Sequence, residues 1–340
     1  MKAIGIIEGD GIGQEVIPAA LEVLDRTGLD LALEHFDIGA ERFLRTGTAI
    51  PDDMMAELAK VDAILLGAIG DPRVTDPAYT AGTLATLRNG FDLYANVRPA
   101  RLLDDRLSPL REPPRRRADI IVLRENTEGL YTTLGGRFKA GTSAEVALQE
   151  HVSTHLGVSR VMEYAFRLAR REVTVATKWN AMPHAGALWL RCWRDAQARH
   201  PRTASRHLAI DACALHLVRD PSAMDVIVTE NCFGDILSDV AAAVVGGLGV
   251  VPSASINAET GKALFEPVHG SAPDIAGRGL ANPVAAILTC ALMIRHLGFD
   301  AAAGAIERAV SDAVRARECT ADIGGSLSTA EAAAAVARRV

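Results

Sequence analysis

Ile4-Gly5-Ile6-Ile7-Glu8-Gly9-Asp10-Gly11-Ile12-Gly13-Gln14-Glu15 carries the fold class of this chain. A short β-branched run stops at glycines, and a helical pattern from Glu15 to Arg26 follows at once. That is a strand, a tight turn and a helix, the opening of a βαβ unit. The rhythm continues outward. Leu31 to Phe36 reads as a second strand, Pro51 to Leu58 as a second helix, and Ala63 to Gly67 as a third strand. Further strands are expected at Ile120 to Arg124, Val173 to Thr177, His207 to Ile210 and Val226 to Thr229. Helices are expected near His155 to Arg170, Ala185 to Arg199, Asp235 to Val245, Pro283 to Leu297 and Ala301 to Ala316. Ser328 and Glu331 have capping-box spacing ahead of a last Ala-rich helix. The expected class is α/β with a largely parallel sheet.

The glycines of the opening turn resemble a dinucleotide fingerprint, but Gln14 stands where the third glycine of that pattern belongs. Two readings stay open: a loop whose backbone approaches a cofactor or anion, and a tight turn required only by packing.

With 340 residues, 49% hydrophobic and 23% charged, the chain suits two globular domains. A net charge of -6 argues against a general nucleic-acid binder. Arg115, Arg116 and Arg117 form the one basic run, read as a solvated loop after Pro113 and Pro114. The five cysteines lie far apart without a CxxC pair, so neither a zinc site nor a disulfide frame is indicated. Neither a signal-peptide layout nor an apolar stretch of membrane-spanning length is seen. No membrane partner is expected, and a cytoplasmic location is.

Asp235 and Asp239 lie four apart at the start of a helix, which puts both carboxylates on one face. Asp211 reads as the end of a strand. Oxygen ligands without His or Cys suit Mg²⁺ or Mn²⁺; the alternative is helix capping with a solvated Asp239. Arg88 and Arg98 flank a short segment, and Arg124 ends an apolar strand. Guanidinium forks suit carboxylate substrates. Tyr131 and Lys178 are candidate proton carriers. Each of these residues, taken singly, also reads as a salt bridge or a packed aromatic.

Five long stretches, in order, resemble the β-decarboxylating dehydrogenases, the isocitrate and isopropylmalate dehydrogenase family. They are Glu8 to Gly13, Leu93 to Pro99, Arg124 to Tyr131, Gly234 to Asp239, and Glu266 to Gly277. The resemblance covers essentially the whole chain. It implies an isopropylmalate dehydrogenase-like fold, not a Rossmann fold, with two α/β domains sharing a central sheet. Residues 1–93 and 247–340 would form the cofactor side. Residues 94–246 would carry substrate, metal and the dimer interface, with a clasp arm near 135–150. A homodimer with shared active sites is implied, in which Lys178 and Asp211 serve the partner's site. Arg88, Arg98 and Arg124 would then bind the carboxylates of a small dicarboxylic 2-hydroxy acid. Asp235, Asp239 and Asp211 would hold the divalent cation, Lys178 would take the hydroxyl proton, and Tyr131 would protonate C3 after CO₂ leaves.

For the cofactor, the resemblance places Glu266 near the nicotinamide ribose and His269 near the adenine. Gly270, Ser271, Ala272, Asp274, Ile275 and Asn282 would line the same loop. Asp274 favours NAD. A 2′-phosphate beside its carboxylate would meet repulsion of order 4 kcal/mol at ~4 Å. For the substrate, the helix before Arg88, Ala81 to Leu87, would read the C3 substituent through Leu84 and Ala85. Gly82 stands where isocitrate enzymes carry serine, and Leu84 alone remains of the paired leucines of isopropylmalate enzymes. The pattern is closest to D-malate/tartrate and 3-isopropylmalate dehydrogenases. Leu130, Trp179 and Glu230 depart from it. Homoisocitrate or a specialised 3-substituted malate as substrate, and a non-catalytic regulatory subunit, are the alternatives.

Overall fold

The computed structural model describes residues 1–112, 116–132 and 134–340, so Arg115 lies outside the described residues, as does the side chain of Ala81. Chain order is β1 (Lys2–Gly9), α1 (Gly13–Asp25), β2 (Leu31–His35), α2 (Ala40–Thr46), α3 (Asp52–Leu58), β3 (Ala63–Ala68), α4 (Pro77–Gly90), β4 (Ala95–Arg101) and β5 (Asp119–Glu125). A hairpin of β6 (Gly135–Phe138) and β7 (Val146–Gln149) follows. Next come α5 (His155–Leu168), β8 (Glu172–Thr177), α6 (Pro183–Arg199), β9 (Ala204–Ala209), α7 (Ile210–Arg219), β10 (Val226–Thr229) and α8 (Asn231–Val245). The chain closes with β11 (Pro252–Ile256), β12 (Ala263–Pro267), α9 (Val284–His296), α10 (Asp300–Arg315) and α11 (Thr329–Ala337).

Ten strands form one sheet in the order β2-β1-β3-β12-β11-β4-β5-β10-β8-β9. The β2-β1-β3-β12 block is parallel, and so is the β5-β10-β8-β9 block. Between them β11 runs against β12, β4 against β11 and β5 against β4. The two parallel blocks therefore point in opposite directions. The expected class, mixed α/β on a largely parallel sheet, holds, with an antiparallel join at its centre.

The inner strands β3 and β10 are buried along their whole length and β1 through its middle, which is why they read as near-continuous apolar runs. Along β1, Ile4 and Ile6 pack with α1 residues Val16 and Ile17 in one cluster, while Ile7 joins Leu58, Tyr79 and Leu87 in another. Helix α9 is buried from Val284 to Ala291. Ser328 and Glu331 make the expected capping box of α11. One reading is corrected. Asp211 does not end a strand, because β9 stops at Ala209 and Asp211 sits in the first turn of α7.

The glycines of the opening turn have a packing reason. Gly11 has a φ of +54°, and a Cβ there would lie 2.0 Å from the Ser271 carbonyl oxygen; one on Gly9 would lie 1.9 Å from that of Ala68. The Ile12 amide donates to the Ser271 carbonyl at 2.9 Å, so the turn supports the 268–272 loop. Buried Asp10 accepts from the Ala40 amide at 2.7 Å, the Gly70 amide at 2.7 Å and the Tyr79 hydroxyl at 2.6 Å. Gly28 offers a control, with a φ of +67° and nothing near its missing Cβ. Gly28→Ala should cost only the left-handed backbone term, ~1–2 kcal/mol. Gly11→Ala should cost clearly more in urea unfolding, because backbone must also move. Equal losses would refute the packing role.

Candidate active site

One cavity of ≈ 300 Å³ lies where the two parallel blocks meet. Its lining includes Arg88, Arg98, Arg124, Tyr131, Asp235 and Glu266. Leu84, Ile69 and Val268 add apolar side chains to the lining, and His269 and Gly270 also border it.

Alternation along the central strands builds the polar floor. Asn96 and Arg98 lie two apart on β4, and Asn96 pairs in register with Arg124 on β5 and with Ser255 on β11. Helix α8 crosses above them. Gly234 permits its approach: a Cβ there would sit 2.6 Å from Arg124 Cβ. Asp235 then reaches both guanidinium groups, contacting Arg124 Nη1 directly and Arg98 Nη1 at 3.2 Å. The remaining donors are mostly met. Arg98 donates to Asn96 Oδ1 and to Ser238 Oγ, each at 2.7 Å, and Arg124 Nε donates to Asn231 Oδ1 at 2.9 Å. Arg88 donates to Glu266 at 2.7 Å.

Electrostatics follow from this packing. Burial, then the neighbouring Arg98, pulls the Arg124 guanidinium down to about 10, still charged at neutral pH. Burial also lowers Arg98, against the pull of Asp235. Burial and the Asp235 carboxylate raise Asp239, with Arg98 opposing. The Tyr131 hydroxyl donates to Asp235 Oδ2 at 3.2 Å. Packing around that hydroxyl, with Cys232 and Asp235, pushes the phenol up to about 12.

Lys178 and Asp211 stand apart from this group. Lys178 Nζ meets Asp211 Oδ1 at 3.0 Å on the protein surface, after β8 and in α7. Asp235 and Asp239 offer oxygen donors one helical turn apart, the donor set a hard divalent cation takes. Among the described residues, no group of three His, Cys, Asp or Glu converges on such a site. The carboxylates fit a cation, and a single chain leaves its shell short of a third.

On the cofactor side, His269 Nδ1 bonds the Gly270 carbonyl at 3.0 Å, while Nε2 is buried with no partner among the described residues. A buried nitrogen of this kind leaves a hydrogen-bonding position that a ligand fits. Burial lowers the imidazole pKa and keeps it neutral. Asp274 is exposed on a loop whose Gly277 and Gly279 amides donate to Glu15. Asn282 is tied to Asp322 at 2.9 Å and caps Val284. Ser271 contributes its carbonyl to the opening turn, and Ala272 adopts a φ of +38°. Ala85 and Ile275 do not line the cavity. Sequence reasoning missed Asn96, Asn231 and Ser238. Their only signal was position, beside or two residues from a charged group.

A family model described as isocitrate/isopropylmalate dehydrogenase matches residues 3–336. The chain belongs to this family. It is a β-decarboxylating dehydrogenase. A 3-isopropylmalate dehydrogenase of Rhodococcus opacus is 46% identical over 90% of this chain and 92% of its own. One from Thermobifida fusca is 43% identical over 99% of this chain and 97% of its own. Among solved structures, an isocitrate dehydrogenase of Methylococcus capsulatus superposes with a TM-score of 0.91 at 35% identity, covering 100% of this chain and 99% of its own. A β-decarboxylating dehydrogenase of Thermococcus kodakarensis gives 0.84 at 35% identity, covering 100% and 96%.

The two aspartates of this dehydrogenase should differ in stability terms. Asp235 ion-pairs with two arginines whose side chains are 3% and 8% exposed, whereas Asp239 is 58% exposed and 3.8 Å from Arg98. Without added cations, Asp235→Asn should lower unfolding free energy by ~2–4 kcal/mol and Asp239→Asn by less than ~1 kcal/mol. Denaturant titration checks the order.

Proposed function

We propose that this dehydrogenase converts a (2R)-malate-type 2-hydroxy acid with an apolar C3 substituent to a 2-oxo acid and CO₂, reducing NAD and requiring Mg²⁺ or Mn²⁺. The observation that carries the reading is the set of three guanidinium groups around one cavity that is also lined by the apolar side chains of Leu84, Ile69 and Val268. Three forks suit the two carboxylates of a malate skeleton. Those apolar side chains suit an alkyl group, and the relatives named 3-isopropylmalate dehydrogenase weigh toward it over unsubstituted malate.

Within this reading Arg88, Arg98 and Arg124 grip the substrate, exchanging their hold on Glu266 and Asp235. Tyr131, protonated at neutral pH, delivers a proton to C3. The partner's Lys178 accepts the hydroxyl proton. Asp235, Asp239 and the partner's Asp211 would hold the cation. When bound, it supplies Lewis-acid polarisation of the hydroxyl and stabilises charge as CO₂ leaves. Glu266, His269, Gly270, Ser271, Ala272, Asp274, Ile275 and Asn282 would receive NAD, and the unpartnered His269 Nε2 supports a ligand there.

The reading includes a homodimer. Phe138, Val146 and Leu148 of the β6–β7 hairpin, Leu215 and Val218 of α7 and Ile236 of α8 are exposed apolar residues. A second copy would cover them. It also includes two lobes, residues 1–93 with 247–340 and residues 94–246. The sheet order supports that division, since within the ten-stranded sheet each set lies on its own side of the β11–β4 contact, the β6–β7 hairpin forming a separate two-stranded sheet.

Purified enzyme with Mn²⁺ and NAD should form NADH fastest with a 3-alkylmalate, ahead of D-malate, tartrate, isocitrate and homoisocitrate, and chelator should abolish the rate. Isocitrate in the lead would overturn the substrate assignment. Mixing inactive Lys178→Ala and Tyr131→Phe chains should restore about a quarter of wild-type activity, one intact site per mixed dimer. No restoration would mean that each chain supplies its own lysine.

A further inference from the structure

Outside the arginine cavity, one buried ionic contact joins two segments that flank it. His151 Nε2 bonds the Glu230 carboxylate, with side chains 12% and 8% exposed. Glu230 is the N-cap residue of α8, the helix that carries Asp235. His151 lies two residues beyond β7, at the base of the exposed hairpin. The Tyr131 loop runs between these segments. On the hairpin side, the Gly129 amide donates to the Val152 carbonyl at 2.8 Å, the Val152 amide returns a bond at 3.2 Å, and the Gln149 side chain donates to the Leu130 carbonyl at 2.9 Å. On the helix side, Asn231 Nδ2 donates to the Glu128 carbonyl at 2.7 Å. The loop is thus bonded to each flank, and His151–Glu230 bonds the two flanks to each other.

We propose that His151 and Glu230 are positioning residues, which clamp the Tyr131 loop against the first turn of α8 so that the Tyr131 hydroxyl and the Asp235 carboxylate keep their mutual geometry. The proposal rests on the roles given to Tyr131 and Asp235 above. Neither member of the pair lines the cavity. A buried pair of this kind specifies geometry, and removing one partner strands the other's charge. A displacement of about 1 Å at a reacting group costs on the order of a hundredfold in rate.

Two carboxylates face the imidazole. The hydrogen bond to Glu230 raises its pKa against burial, and the charges of Glu230 and Glu128 add to the rise. Because the folded value lies above the ordinary one, the clamp is at full strength below the ordinary histidine range. It weakens as pH rises through the folded value.

The test uses the full chain with His151→Gln, Glu230→Gln, the double variant and His151→Lys. Hydrogen exchange should quicken in residues 128–132, 150–152 and the first turn of α8, and stay unchanged in β1 and β3. In turnover, each single variant should lose about tenfold or more in kcat while KM for NAD stays within about twofold. The double should be no worse than the worse single, and His151→Lys should recover most of the loss. Unchanged exchange in the loop, quickened exchange throughout the chain, or additive losses in kcat would each overturn the clamp. Should Tyr131→Phe turn over like wild type, the catalytic reading falls, while the exchange result still decides whether the pair holds the loop.

Discussion

The Asp235 carboxylate between Arg98 and Arg124 is the constraint on which the site depends. Two nearly buried guanidinium groups on adjacent strands repel each other and carry a large desolvation penalty. One carboxylate, lowered onto them from α8, offsets part of that cost and leaves the trio net positive. Its arrival requires Gly234, since any side chain there would meet Arg124. The other N–H groups find Asn96, Asn231 and Ser238. The result is a rigid positive floor under a cavity, built before any substrate arrives. Such preorganisation lets an anionic substrate meet guanidinium groups already gathered at one place, so less side-chain ordering is needed on binding.

The sheet topology places that floor. Two parallel blocks of opposite direction meet through β11 and β4. At this join, side chains from both blocks face one cavity: Arg124 from one, Glu266 from the other. The loop after β12 is fixed from the opposite side by the opening turn and by Glu15 of α1. The site therefore spans elements from both ends and the middle of the chain.

Local patterning revealed the strands and helices whose apolar periodicity is strong, such as β3 and α10. It did not reveal β4, because Asn96, Arg98 and Pro99 break the apolar run. Asn96 and Arg98 are tolerated in a central strand because β11 and α8 supply partners from more than a hundred residues away. The glycines of the opening turn were legible as glycines but not in purpose. Backbone-to-backbone approach to Ala68 and Ser271 gives them that purpose, and neither neighbour is visible from the turn itself. Glu230 is likewise unexplained by its own neighbours in sequence, because its partner His151 lies 79 residues away.

By itself the sequence determined the α/β class, the identities of the arginines, aspartates, tyrosine and lysine, and the family to which their order belongs. Those depend on short-range periodicity and on residue chemistry. Tertiary structure decided which of them meet. Arg88, Arg98, Arg124, Tyr131 and Asp235 converge, whereas Lys178 and Asp211 pair with each other on a separate surface. The reason is that strand order arises from non-local pairing: β8 lies two strands from β5, with β10 between them. No spacing along the chain encodes that distance.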